Sequence, residues 1–180
     1  MHQAQNNGFI IGVKGLSQGR HTFRFHVDKT LFESFGNSQI LDADIDVTIE
    51  LDKEGRRMLL TDCSKGYVVV ECDRCLDELR LPVSLKTDVE VIFAEQGAAE
   101  ESDEYLVVDP SDGELDVTQF VYDYICINLP LRKVHEEGKC NRQMLEKLQQ
   151  ASQAGEGNSR TNENSPFKDL ERLLNSENNN

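Results

Sequence analysis

The chain is predicted to be an α+β protein: an antiparallel, β-rich sheet or partly open barrel, with a few packed helices toward the C-terminus. Three observations predict this. Residues 44–52 alternate strictly, with Ile45, Val47, Ile49 and Leu51 set against Asp44, Asp46, Thr48 and Glu50, the period of a strand with one buried face. Further alternating segments follow with only short turns between them, which favours antiparallel neighbours over strand–helix–strand units. Beyond residue 116 the apolar period lengthens to that of helices.

The elements follow in order. Residues 9–15 read as a short strand. Residues 21–28 alternate, with Phe23, Phe25 and Val27 on one face and Thr22, Arg24 and His26 on the other. His21 and His26 are placed on the exposed face and His2 in the tail, with no role for any of them. Leu31, Phe32 and Phe35 keep helical spacing and Gly36 closes that turn. After the strand at 44–52, Lys53, Glu54 and Gly55 turn the chain into a strand at 58–61, and 67–71 forms an apolar strand. Leu79, Leu81, Val83 and Leu85 alternate, then Val89, Val91 and Phe93.

The stretch 95–114 carries eight acidic residues and no Lys or Arg, and is expected to be an acidic loop in which Tyr105 to Val108 pairs briefly with the sheet. A helix is expected to open at Asp116, which can cap the first amides. Its apolar stripe is Val117, Phe120, Val121, Tyr124 and Ile125, and Pro130 ends it. Residues 141–150 look helical. The expected organisation is one globular domain over 1–150, a Gly/Ser/Asn-rich linker over 151–164, a short helix over 165–175 and a disordered tail over 176–180. Ser165-Pro166 gives that last helix its cap and first turn. Phe167, Leu170 and Leu174 lie along one side of it as candidate partner-binding anchors.

Charge excludes some functions. The chain has 19 Lys and Arg against 33 Asp and Glu, a net charge of −14 in 180 residues. Nucleic-acid binders draw affinity from cations that neutralise phosphates, so broad charge-driven RNA binding is not expected. An acidic surface suits docking onto a basic protein. No apolar run is long enough to span a membrane. The polar start has no signal-peptide pattern, so the chain is expected to be cytoplasmic. In that compartment five cysteines point to metal or reactivity before disulfides.

Cys72 and Cys75 form a Cys-x-x-Cys pair, and two thiols at that spacing in a tight turn can reach one tetrahedral ion. One pair is half a site. His135 and Cys140 offer the second half, making zinc the candidate cofactor. The bland alternative stays open: two semi-buried cysteines at a strand end, with His135 on the surface. A thiol-redox reading is weaker, because the surroundings are antiparallel strands and the flanking Glu71 and Asp73 should raise the thiol pKa values. Cys126, within the Asp116 helix, is expected in the core, and Cys63 is lone. Gly12 and Gly15 flank a lysine without opening a helix, so there is no phosphate loop. No nucleophile elbow or small-molecule site is evident. The cations that could touch nucleic acid are Arg132, Lys133, Lys139 and Arg142.

Together these motifs resemble the YceD family, the large ribosomal RNA subunit accumulation proteins. The resemblance runs over Glu71–Leu76 after a strand, residues 113–116 opening a helix and Leu129-Pro130 closing it. It continues through residues 134–140 and Ser165-Pro166-Phe167 with Leu170 and Leu173. Some relatives carry more cysteine in the second ligand turn, where this chain has His135 and Cys140. The resemblance implies a non-enzymatic factor supporting 23S ribosomal RNA accumulation and large-subunit biogenesis. Ribosomal or ribosome-assembly proteins are its expected partners, and ribosomal RNA is contacted directly or through them. The alternatives are a direct RNA-binding module and a thiol-redox protein.

Overall fold

A computed structural model describes residues 8–55, 57–94, 105–108 and 113–156. Its elements are β1 (Ile10–Gly12), β2 (Gly19–Asp28), α1 (Lys29–Ser34), β3 (Ile40–Glu54), β4 (Arg57–Glu71), β5 (Glu78–Phe93), β6 (Tyr105–Val108), β7 (Glu114–Asp116), α2 (Thr118–Asn128) and α3 (Arg142–Glu156). Five strands form one open sheet in the order β2-β3-β4-β5-β6, and β1 pairs with β7 apart from it. The class is the expected α+β with a mostly antiparallel sheet. The boundary between two compact units falls between Glu136 and Glu137, inside the span expected as one domain. Most of the acidic stretch, the linker after Glu156, the Ser165 helix and the tail lie outside the described residues.

Strands β2 to β5 form an antiparallel meander whose register follows the sequence alternation. Ile49 faces Phe23 on one side and Asp62 on the other, and Asp62 faces Thr87. The inner row of β3, from Ile45 through Val47 and Ile49 to Leu51, is at most 1% exposed, so alternation and burial coincide. Two strands run longer than expected. Segments 58–61 and 67–71 belong to the single 15-residue β4, and both alternating runs after residue 78 belong to the 16-residue β5. The polar residues 62–65 hide this continuity. Asp62 and Ser64 point inward against the rule that such positions are apolar.

Several expectations need correction. β6 pairs with β5 in parallel, Val91 opposite Leu106, a pairing no two-residue hairpin can make. The first strand shrinks to Ile10–Gly12. His21 is half-buried on the Phe23 face, as a period of two requires of residue 21, while His26 is exposed beside Asp44 and Asp46. Asp116 ends β7, and the helix begins at Thr118. The Asp116 carboxylate does accept the Thr118 amide at 2.8 Å. Leu129 is extended ahead of Pro130 and closes α2. Cys126 is half-buried rather than core. α3 is capped by Asn141, whose side-chain oxygen accepts the Gln143 and Met144 amides at 3.1 and 3.3 Å. It continues past Gln150 to Glu156, because Ala151, Gln153 and Ala154 sustain a helix as well as they would a linker.

The first unit's helices cover apolar surface. Asp28 caps α1, accepting the Thr30 amide at 2.8 Å. That contact, with the Thr30 hydroxyl the larger influence, holds the Asp28 carboxyl below its usual range. Phe32 is fully buried with its ring 5.9 Å from Tyr122 of α2, and Phe35 stacks on the same tyrosine at 4.2 Å. Phe32→Leu leaves a partial void beside Tyr122. It should cost ~1–2 kcal/mol with the same denaturant m-value, read by urea unfolding.

Candidate metal centre

Where β4 leaves the sheet, the chain makes a tight knuckle. The Cys72 amide donates to the Asp77 carbonyl at 2.9 Å, and the Leu76 amide to the Cys72 carbonyl at 2.9 Å. Closing the loop this tightly requires one left-handed residue, and Leu76 takes that role at φ 62°. Glycine would do so without strain, whereas a leucine resists it. The Leu76 side chain is left 60% exposed. Cys72 and Cys75 are fully buried at the base of the knuckle.

A second turn, after α2, is clamped to the first. The Asp73 amide donates to the Lys133 carbonyl at 2.7 Å, and the Lys133 amide donates to the Asp73 carboxylate at 2.6 Å. This two-way bond fixes where the backbone passes and therefore where His135 emerges. The His135 Nε2 lies 3.1 Å from the Glu78 carbonyl, and its Nδ1 lies 3.4 Å from the Cys75 Sγ. Carbonyls only accept, so the network assigns the proton to Nε2 and leaves the Nδ1 lone pair facing the thiols. A metal-binding histidine is oriented in this way by a partner on its other nitrogen.

The donor atoms of Cys72, Cys75, His135 and Cys140 all lie within 4.8 Å of one another. Cys140 is buried. In a tetrahedral zinc site, bonds of about 2.0–2.3 Å separate the donors by about 3.3–3.8 Å. Three sulfurs and one imidazole nitrogen therefore need only a small contraction around the ion. The donor chemistry fits as well. Burial pushes the Cys72 thiol up, but the amides of Cys75, His135 and Arg74 and the Cys75 thiol outweigh it, bringing the group down to about 6. The expectation that Glu71 and Asp73 would raise the thiols is thus overturned at Cys72, because amides aimed at the sulfur act at closer range than exposed carboxylates. Hydrogen bonding of the protonated ring to the Cys72 sulfur raises the His135 pKa against the opposing effect of desolvation, helped by Cys75 and the Glu78 carbonyl. A metal ion held by these four residues would cross-link the two turns.

The other anticipated residues are placed as follows. Lys133 lines a cleft with Ser38, Gln39, Leu41, Val70, Glu71 and Asp73. Arg132 is exposed beside it, and Lys139 and Arg142 are exposed on either side of Cys140 and Asn141. Phe167, Leu170 and Leu174 lie outside the described residues. Sequence spacing found the four donors but missed the Asp73–Lys133 clamp and the Glu78 carbonyl. Each contact has a main-chain group on at least one side, and that group carries no residue signature. No helix among the described residues is long and apolar enough to cross a membrane.

Neither the curated proteins nor the solved structures yielded a match to this chain. A family model does match: it is described as large ribosomal RNA subunit accumulation protein YceD, and it aligns with residues 64–174. That stretch covers well over half of the 180 residues. It begins in the middle of β4 and takes in the Cys72 knuckle, α2, the second ligand turn and α3. With a match of that extent running through the whole four-donor cluster, the chain belongs to the YceD family.

Proposed function

We propose that the protein is a non-catalytic factor that supports 23S ribosomal RNA accumulation and large-subunit biogenesis by docking on a basic protein partner. The observation that carries this reading is the family match across the knuckle and the helical end. Charge supports the protein-partner form. The outward face of β3 presents Asp44, Asp46, Glu50 and Asp52 in one column. Arg20 and His26 approach it only as solvent-exposed pairs at 3.4 Å or more, which neutralise little. Arg24 on β2 and Lys65 on β4 share this exposed face, and the net charge of −14 favours Lys- and Arg-rich surfaces over phosphate. Ribosomal and ribosome-assembly proteins have that chemistry.

In this reading zinc has a structural role, with Cys72, Cys75, His135 and Cys140 supplying a closed donor set and no position for substrate. The protein works in the cytoplasm, where thiols stay reduced.

Direct RNA contact is the second reading, carried by Arg132 and Lys133 beside the first ligand turn and by Lys139 and Arg142 near Cys140. Depletion of the protein in its host should lower 23S relative to 16S ribosomal RNA and reduce large subunits on a sucrose gradient. Unchanged ratios under clean depletion overturn the proposal. Steep loss of binding to isolated 23S RNA with rising salt would favour the second reading.

A further inference from the structure

Asp62 sits in the middle of β4 with its side chain on the inner face of the sheet, opposite Ile49 on β3 and Thr87 on β5. It is 0% exposed, as is Ser64 two residues on. Among the described residues these two are the buried polar side chains outside the cysteines. The Ser64 hydroxyl donates to Asp62 Oδ1 at 2.9 Å, while Asp62 Oδ2 is fully enclosed and has no hydrogen-bond partner. Asp62 is therefore a carboxyl group in an apolar layer, with one hydrogen bond and one orphaned oxygen.

We propose that Asp62, with Ser64, is a proton-operated lock in the centre of the sheet: neutral, it lets β4 pack fully between β3 and β5, and ionised, it loosens that packing. The physical basis is the cost of enclosing a charge without a compensating cation. No cation compensates this one. The titratable side chains on the same face or on α2 are His21 of β2, Lys53 of β3, and Tyr122, Asp123, Tyr124 and Cys126 of α2, and the Lys53 ammonium donates to the Leu16 carbonyl at 2.8 Å. His21 is engaged with the Ser17 carbonyl at 3.0 Å, and Tyr122 receives a hydrogen bond from Asn37 at 3.3 Å. None of the six shifts Asp62. Burial raises its carboxyl to about 6 and only the Ser64 hydroxyl opposes this.

The sign follows from that direction. The carboxyl has an ordinary value of 3.8 in the unfolded chain and a raised one in the fold. Folding therefore takes up a proton between those limits, and this residue adds stability as pH falls from about 7 toward 4. Above the raised value the penalty is constant and the sheet is at its loosest. Such a device makes the core tighten on mild acidification, the reverse of the usual loss of stability when paired carboxylates are protonated. It lies apart from the cysteine cluster and does not depend on the proposed role in RNA accumulation.

The test compares the full-length, metal-replete chain with Asp62→Asn across pH 5.5 to 7.5. Groups shared by the two proteins cancel, so the difference between them is the quantity read. The wild type should gain about 2–3 °C in melting temperature relative to the variant on going from pH 7.5 to 5.5. Amide exchange at Ile49, Asp62 and Thr87, corrected for its intrinsic pH dependence, should slow in the wild type alone. Parallel melting curves overturn the proposal. If the asparagine variant folds poorly, carboxyl carbon NMR of the wild type decides instead. An Asp62 titration midpoint near 6 supports the lock, and a midpoint near 4 removes it.

Discussion

Cys72→Ser and Cys75→Ser should each strip the protein of zinc and lower its melting temperature by ~10 °C or more. The freshly purified chain should hold about one zinc per molecule, as a closed four-donor set requires. Both thiols are fully buried and sit with His135 Nδ1 and Cys140 in a group no wider than 4.8 Å. Removing one sulfur leaves three donors and an enclosed hydroxyl, which binds zinc far more weakly than a thiolate. The loss should be large because a metal site that forms only in the folded chain contributes its binding free energy to folding. His135→Cys gives the control: the donor set becomes four thiolates, metal is retained and most of the melting temperature is kept. Elemental analysis and thermal denaturation, with and without a chelator, read both effects. Protein free of zinc that melts at the same temperature as both serine variants would reduce the cluster to buried cysteines packed at a strand end.

Much of this architecture could be read from the sequence, and the reasons differ by element. β2 and β3 were legible because each keeps one apolar face, Phe23–Phe25–Val27 and Ile45–Val47–Ile49–Leu51, for most of its length. β4 was legible only at its two ends. Asp62 and Ser64 occupy inner positions, and Gly66 offers no side chain at all, so the apolar signal lapses where the strand does not. Leu60 and Asp62 share one parity, and both are fully buried. Parallel β6 was illegible in register, because nothing local in Tyr105–Val108 encodes its partner. At the metal centre, ligand chemistry is residue-specific and could be read from spacing, whereas the clamp through Asp73 and Lys133 and the left-handed Leu76 depend on backbone path. His21 was misplaced through a slip of parity, which shows that alternation fixes a face only when every residue is counted.

Gly66→Ala should destabilise the fold by ~3 kcal/mol or more, although the change adds a single methyl group. Gly66 lies opposite Ile45 on β3 and Val83 on β5, in the interior of the sheet where glycine is ordinarily unfavourable. Its value here is steric. A Cβ at this position would lie 2.0 Å from the Asp44 carbonyl oxygen and 2.6 Å from the Ile45 Cα. Both obstacles are backbone of the neighbouring strand, so no side-chain rotation relieves them. The ladder between β3 and β4 must open locally or shift, and either movement disturbs Ile45, which is fully buried. The same two strands lead down to the Cys72 knuckle, six residues after Gly66. The variant should therefore also bind zinc more weakly, while the isolated exchange Ser84→Ala on the exposed face of β5 should leave both properties within ~0.5 kcal/mol. Urea unfolding of the two variants side by side measures the contrast. A Gly66→Ala protein as stable as Ser84→Ala would show that β3 and β4 do not approach at this point as closely as the fold requires.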